Sequence, residues 1–162
     1  MVDGFEGFFV ENYPRVVRAL TLTIGRQAAA EEVAQEAFTR AFDRWETIVQ
    51  RPRPEAWVYV VAMNAARDQF RRLRRTPARF DVVGDGPDHA GLVATEVTVR
   101  SSLLALPFRQ RQAVVLRYFV DLEVADVAAA MGCSPGTVKS TLHAALVALH
   151  VRLAPDKETS EP

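Results

Sequence analysis

The chain of 162 residues contains a single cysteine, Cys133, so no intrachain disulfide can staple it. Stability must come from buried apolar surface, and 49% hydrophobic residues supply enough for one ordinary domain or two small ones. No stretch approaches the uninterrupted apolar length that crosses a bilayer. The start, Met1-Val2-Asp3-Gly4-Phe5-Glu6, lacks the basic residues and apolar run of a secretory signal. A soluble, cytoplasmic protein without membrane insertion is expected. A glycine-rich phosphate loop is missing too, and His89, His143 and His150 have no partners at metal-ligand spacing. Neither a metal nor a cofactor is expected. Net charge is also absent, with twenty basic and twenty acidic side chains, which argues against coating nucleic acid by bulk charge.

The charge is unevenly placed, however. Residues 1–75 carry twelve basic and ten acidic side chains, residues 76–100 two and four, and residues 101–162 six of each. Arg67, Arg71, Arg72, Arg74 and Arg75 fall within nine residues. Cations suit a helix C-terminus, but five exceed what capping requires, so phosphate contact is expected there.

Hydrophobic spacing predicts helices throughout. Phe5, Phe8, Phe9, Val16, Val17, Leu20 and Ile24 recur three and four residues apart, with Pro14 expected to kink or split this helix and Gly25 to end it. A second helix from Ala28 to Trp45 buries Ala34, Phe38, Ala41, Phe42 and Trp45. Glu32, Gln35, Glu36 and Arg40 lie on its opposite face. A loop from Glu46 to Pro54 holds Arg51 and Arg53, each followed by a proline. The third helix then runs from about Glu55 to Arg75 with Tyr59, Ala62, Ala66, Phe70 and Leu73 inward. Trp57, Asn64, Arg67 and Arg71 fall on its other faces, and Trp57 could stack on an unpaired base.

Residues from Thr76 to Gly91 include Gly84-Asp85-Gly86-Pro87 with Asp81 and Asp88, an acidic linker and the best domain boundary. Beyond it, helices are expected from about Val97 to Ala105, from Pro107 to about Tyr118, from Val124 to Met131 and from Pro135 to about Leu153. The tail from Ala154 is polar. Gly132 supplies a turn between the last two, Ser134 an N-cap and Pro135 the first helical position. This is the pattern of a helix-turn-helix, whose second helix reads DNA near its N-terminus. Val138, Leu142, Ala145, Leu146 and Leu149 are its expected buried stripe, and Thr137, Lys139, Ser140 and His143 its exposed readers. Cys133 in the turn reads as a packing residue.

Three stretches resemble extracytoplasmic-function (ECF) sigma factors, the detachable promoter-finding subunits of bacterial RNA polymerase. Ala30-Glu31-Glu32-Val33-Ala34-Gln35-Glu36-Ala37-Phe38 is similar to their polymerase-binding motif. Pro54-Glu55-Ala56-Trp57-Val58-Tyr59 through Asn64 and Asp68 to the arginine run is similar to their promoter-melting helix. Leu106-Pro107-Phe108-Arg109-Gln110-Arg111-Gln112 through Cys133-Ser134-Pro135-Gly136-Thr137-Val138-Lys139-Ser140 is similar to their C-terminal DNA-reading domain. The likeness covers nearly the whole chain, in the family's order.

It implies an all-α chain of two small helical domains joined by an acidic flexible linker, the C-terminal one a helix-turn-helix. Their expected bounds are 1–75 and 101–154, with a linker at 76–100 and a disordered tail at 155–162. It also implies a division of labour. Glu32, Gln35, Glu36 and Arg40 would bind core polymerase, through its beta-prime and beta subunits. Arg51, Arg53, Trp57, Asn64, Arg67, Arg71, Arg72, Arg74 and Arg75 would hold the melted minus-ten element. Thr137, Lys139, Ser140 and His143 would read the minus-thirty-five element. The linker would thread toward the polymerase active-site channel, and an anti-sigma factor is an implied partner.

Three positions depart from the family pattern. Val60 replaces a basic residue of the melting helix, and Thr141 and Ala144 replace arginines of the recognition helix. Each loss removes a phosphate contact. Two rival readings remain at this point. A stand-alone helix-turn-helix regulator would bind duplex DNA as a dimer, but gives the Gln35-Glu36 face no role. A helical nuclease would need a carboxylate constellation, which Glu31, Glu32 and Glu36 could imitate.

Overall fold

The computed structural model describes residues 4–75 and 94–154, and every regular element among them is a helix. In order they are α1 (Phe5–Ile24), α2 (Gln27–Asp43), α3 (Trp45–Ile48), α4 (Pro54–Arg75), α5 (Ala94–Leu104), α6 (Phe108–Val114), α7 (Val124–Met131) and α8 (Pro135–Leu153). A π-helical turn, Val115–Phe119, follows α6 directly. Helix α5 begins inside the stretch expected as linker. Residues 76–93 of that stretch and the tail 155–162 lie outside the described residues.

Helix α1 runs unbroken through Pro14, so the chain is not split into two helices there. Proline there removes one N–H, and the carbonyl that loses its donor belongs to Val10, which is 66% exposed and can turn to water. Gly25 ends the helix at φ +87°, and its N–H bonds the Thr21 carbonyl at 2.8 Å. Only Gly25 and Arg26 separate α1 from α2, so α2 folds back along it. Ala30, Val33, Ala34, Ala37, Phe38 and Ala41 of α2 meet Val16, Ala19, Leu20 and Ile24 of α1 in one core. Each fully buried Leu or Val there is worth about 1.5–3 kcal/mol relative to exposure.

Two residues depart from the expected stripe of α2. Phe42 is 48% exposed, resting edge-on against Phe5 with ring centroids 5.1 Å apart. Trp45 is buried as expected, but it belongs to α3, because Arg44 leaves helical geometry at φ −119°. The expected loop from Glu46 thus includes most of this short helix.

In the second half, α6 and its π turn replace one longer expected helix. The Val120 N–H reaches back five residues to the Val115 carbonyl at 3.0 Å. Tyr118 and Phe119 are consequently exposed. Helices α7 and α8 have the expected bounds. Gly132 turns the chain at φ +64°, and Ser134 Oγ accepts the Thr137 N–H at 3.1 Å. Leu146 departs from expectation at 43% exposed. The inward stripe runs Val138, Leu142, Ala145, Leu149, and Leu146 lies one residue round the helix from it.

The two halves share a core. α7 packs along α4, and α5 and the π turn pack on α1. Phe70 of α4 stacks on Phe108 of α6, with centroids 4.4 Å apart and ring planes 17° apart.

Candidate nucleic-acid interface

Three surfaces carry the residues singled out from the sequence. On α2, Glu32, Gln35, Glu36 and Arg40 are all exposed, opposite the buried Val33, Ala34, Ala37 and Phe38. Arg40 Nη2 donates to Glu36 Oε1 at 2.6 Å, a surface pair that fixes both side chains in one row. An exposed row of acid, amide and cation suits a polar protein partner more than DNA.

The second surface is α4 with the turn before it. Arg51 is exposed. Arg53 is half-buried, with Nε 3.3 Å from Glu55 Oε1 and Nη1 3.3 Å from Asp126 Oδ2. Trp57, Asn64 and Arg67 are half-buried, while Arg71 and Arg72 are exposed. Arg74 and Arg75 occupy the last turn of α4, and their side chains lie outside the described residues. Tyr59 is a core residue at 4% exposure, and burial, opposed by Arg15, pushes its phenol up to about 12.

The third surface is the N-terminal half of α8. Thr137, Lys139, Ser140 and His143 are exposed together on the side away from Val138, Leu142 and Ala145. Thr137 and Ser134 share a hydroxyl hydrogen bond at 3.0 Å, and Ser140 Oγ donates to the Thr137 carbonyl at 3.0 Å. Those bonds leave the lysine ammonium and the imidazole as the long-reach groups. Of the two departures on this helix, Thr141 is half-buried and Ala144 exposed.

Sequence reasoning missed the residues that join these surfaces. Asp126 holds Arg53 across the two halves. Arg111, 7% exposed, donates to the Leu103, Thr23, Leu104 and Leu106 carbonyls at 3.1, 2.6, 3.0 and 3.0 Å. Burial lowers its pKa, and the four carbonyls take up its donors. A signal existed: Arg111 lies three residues after Phe108 and four before Val115, on the apolar face of its helix.

Among the described residues, no group of three or more His, Cys, Asp or Glu could hold a metal ion, and no helix is long and apolar enough to cross a membrane.

A family model for sigma-70 region 2 matches residues 8–76, and one for sigma-70 region 4 matches residues 97–149. The RNA polymerase sigma-E factor of Streptomyces coelicolor is 29% identical over 151 residues, spanning 92% of this chain and 85% of its own. The ECF RNA polymerase sigma factor SigL of Mycobacterium tuberculosis is 34% identical over 142 residues, spanning 83% of this chain and 80% of its own. The fold matches that of the sigma factor RpoE, crystallised with the anti-sigma factor NepR from Bartonella quintana. The TM-score is 0.80 at 22% identity, over 97% of this chain and 100% of that one. A region 2 half and a region 4 half in this order, with such relatives along most of the length, settle the family: the chain belongs to the extracytoplasmic-function sigma factors of RNA polymerase.

Proposed function

We propose that the three surfaces divide the work of promoter recognition and opening. Glu32, Gln35, Glu36 and Arg40 on α2 dock on core polymerase. Arg51, Arg53, Trp57, Asn64, Arg67 and Arg71, with the remaining arginines of α4, hold the melted minus-ten element through backbone contacts and stacking. Thr137, Lys139, Ser140 and His143 meet the minus-thirty-five duplex. Residues 1–75 and 101–154 serve as the two functional domains. The protein acts by binding alone and carries out no chemistry of its own, in the cytoplasm where polymerase works.

The observation that carries this reading is the capped helix-turn-helix, with four polar side chains exposed at the start of its second helix. The exposed α2 row supports polymerase binding over a stand-alone regulator, which has no use for it. The complex of RpoE with NepR supports an anti-sigma factor as a further partner. Run-off transcription with core polymerase on a matched promoter tests the whole. Transcripts that depend on the added chain are expected, and their absence across promoters that bind the protein would refute it.

A further inference from the structure

The seam between the two halves does not close along its whole length. It leaves a cleft of about 1210 Å³ between α1, the start of α4, α5 and the chain that follows the π turn. Arg15 and Arg18 line it from α1, three residues apart and so neighbours on one face, and Arg100 lines it from α5. None of these three arginines makes an ion pair or a side-chain hydrogen bond among the described residues. Most other charged wall residues are already paired. Glu55 is held by Arg53 at 3.3 Å and Asp121 by Arg117 at 3.4 Å, which leaves Glu96 as the unpaired acid of the wall. The cleft is therefore cationic. The charge of Arg15 is felt within the wall itself, where it opposes the burial that raises the Tyr59 phenol.

The rest of the wall is largely apolar and includes a ring that folding leaves uncovered. Val17, Leu22, Val99 and Val120 are half-buried there, whereas Phe119 is 51% exposed. Two backbone irregularities flank that ring. The π turn, Val115–Phe119, ends on it, and Asp121 then takes φ +63°, the one left-handed non-glycine residue among those described. Both features cost conformational energy and recur at functional sites.

Guanidinium forks match phosphate oxygens two at a time, and an exposed aromatic ring offers its face to a flat base. We propose that the cleft is a binding site for a nucleoside polyphosphate, with the phosphates on Arg15, Arg18 and Arg100 and the base against Phe119. The size suits such a ligand, since small-molecule pockets run to about 1,000 Å³ and this one leaves room for bridging water. Of the residues assigned to polymerase or promoter, the cleft shares only Arg53. Its walls come from both halves, so a bound ligand stabilises the whole chain against unfolding.

Calorimetric titration of the free full-length chain with ATP tests the site, with pyrophosphate and adenosine as part-ligands. ATP should bind more tightly than either part. At a hundredfold excess over Kd it should raise the melting temperature by about 5–10 °C. Arg18→Ala and Arg100→Ala should each weaken ATP binding about tenfold, for one charge-assisted contact apiece. Phe119→Ala should weaken ATP and leave pyrophosphate unchanged. Arg44→Ala removes an exposed arginine outside the cleft and should change neither. Arg18 and Phe119 are exposed, so their unliganded variants should melt at the wild-type temperature, which serves as the folding control. The absence of binding at millimolar ATP would overturn the proposal. Equal losses in Arg18→Ala and Arg44→Ala would do the same, by reducing the effect to bulk charge. Pyrophosphate that binds as tightly as ATP would refute the ligand class. A single-stranded oligonucleotide that displaces ATP and loses affinity in Arg18→Ala would make the cleft a strand channel instead.

Discussion

Arg111 joins the C-terminal ends of two helices from different halves of the chain. Its Nη1 reaches the Thr23 carbonyl in the last turn of α1, while Nε and Nη2 hold the Leu103 and Leu104 carbonyls at the end of α5. Helix C-termini present unsatisfied carbonyls and partial negative charge, so one guanidinium answers both. Arg111→Met strands these acceptors and should destabilise the fold by roughly 2–4 kcal/mol. Arg111→Lys should recover only part, because an ammonium cannot match the planar fork. Urea denaturation reads the loss as a lower midpoint at unchanged slope.

Replacing Gln35 with Ala and Glu36 with Arg should abolish capture of core polymerase in a pull-down. Both side chains are exposed, and the Glu36–Arg40 pair is a surface i, i+4 pair worth about 0.3–0.5 kcal/mol, so the melting temperature should hardly move. Full binding by the double variant would remove the α2 row from the polymerase interface.

Arg71 is exposed on α4 and placed as a phosphate contact. Arg71→Ala should lower the slope of log affinity against log salt by about one in holoenzyme binding, equally on every cognate promoter. A change confined to one promoter sequence would point to base reading instead.

Ala144 and Thr141 separate as sites for restoring the family's arginines. Ala144 is exposed, so Ala144→Arg should leave stability within about 0.5 kcal/mol. It should tighten minus-thirty-five binding, by about 1–3 kcal/mol if a bidentate base contact forms. Thr141 is half-buried, so Thr141→Arg should cost stability as well as add reach. Gel-shift titration on duplexes with and without the element checks the gain. Equal affinities on both would mean α8 does not read DNA.

Tyr59 gives a pH signature. Its folded pKa of about 12 lies above the ordinary tyrosine value of about 10, so the folded state holds the proton more tightly. The corresponding stability is fully present below pH 10 and is lost as pH rises towards 12. Tyr59→Phe should flatten that alkaline loss in denaturation midpoints measured across the window.

The parts of the fold that were legible are those encoded within a few residues. Gly132, Ser134 and Pro135 set the facing ends of α7 and α8 by backbone geometry and capping, and both helices have the expected bounds. Phe42 and Leu146 were misplaced because spacing gives the centre of an apolar stripe, while its width depends on what packs opposite. The π turn was hidden because its five-residue hydrogen bond leaves no residue-type signature. Least legible was the seam. Arg53 and Asp126 stand 73 residues apart, and nothing local in either marks the other as its partner. The three candidate surfaces were legible as rows on helices, but that α7 packs along the helix carrying one of them was not.

The position of Arg111 also bears on how the molecule comes apart. A donor shared by both helix ends ties the melting of one half to the loosening of the other, so the closed chain should behave as one cooperative unit. Calorimetry of the free protein should then give a single endotherm, and separation of the halves should split it in two. Amide exchange at the end of α1 would quicken as the halves part, because the Thr23 carbonyl loses its cation and the last turn can fray. Parting of the halves would thus exchange one large folding domain for two smaller, more labile ones.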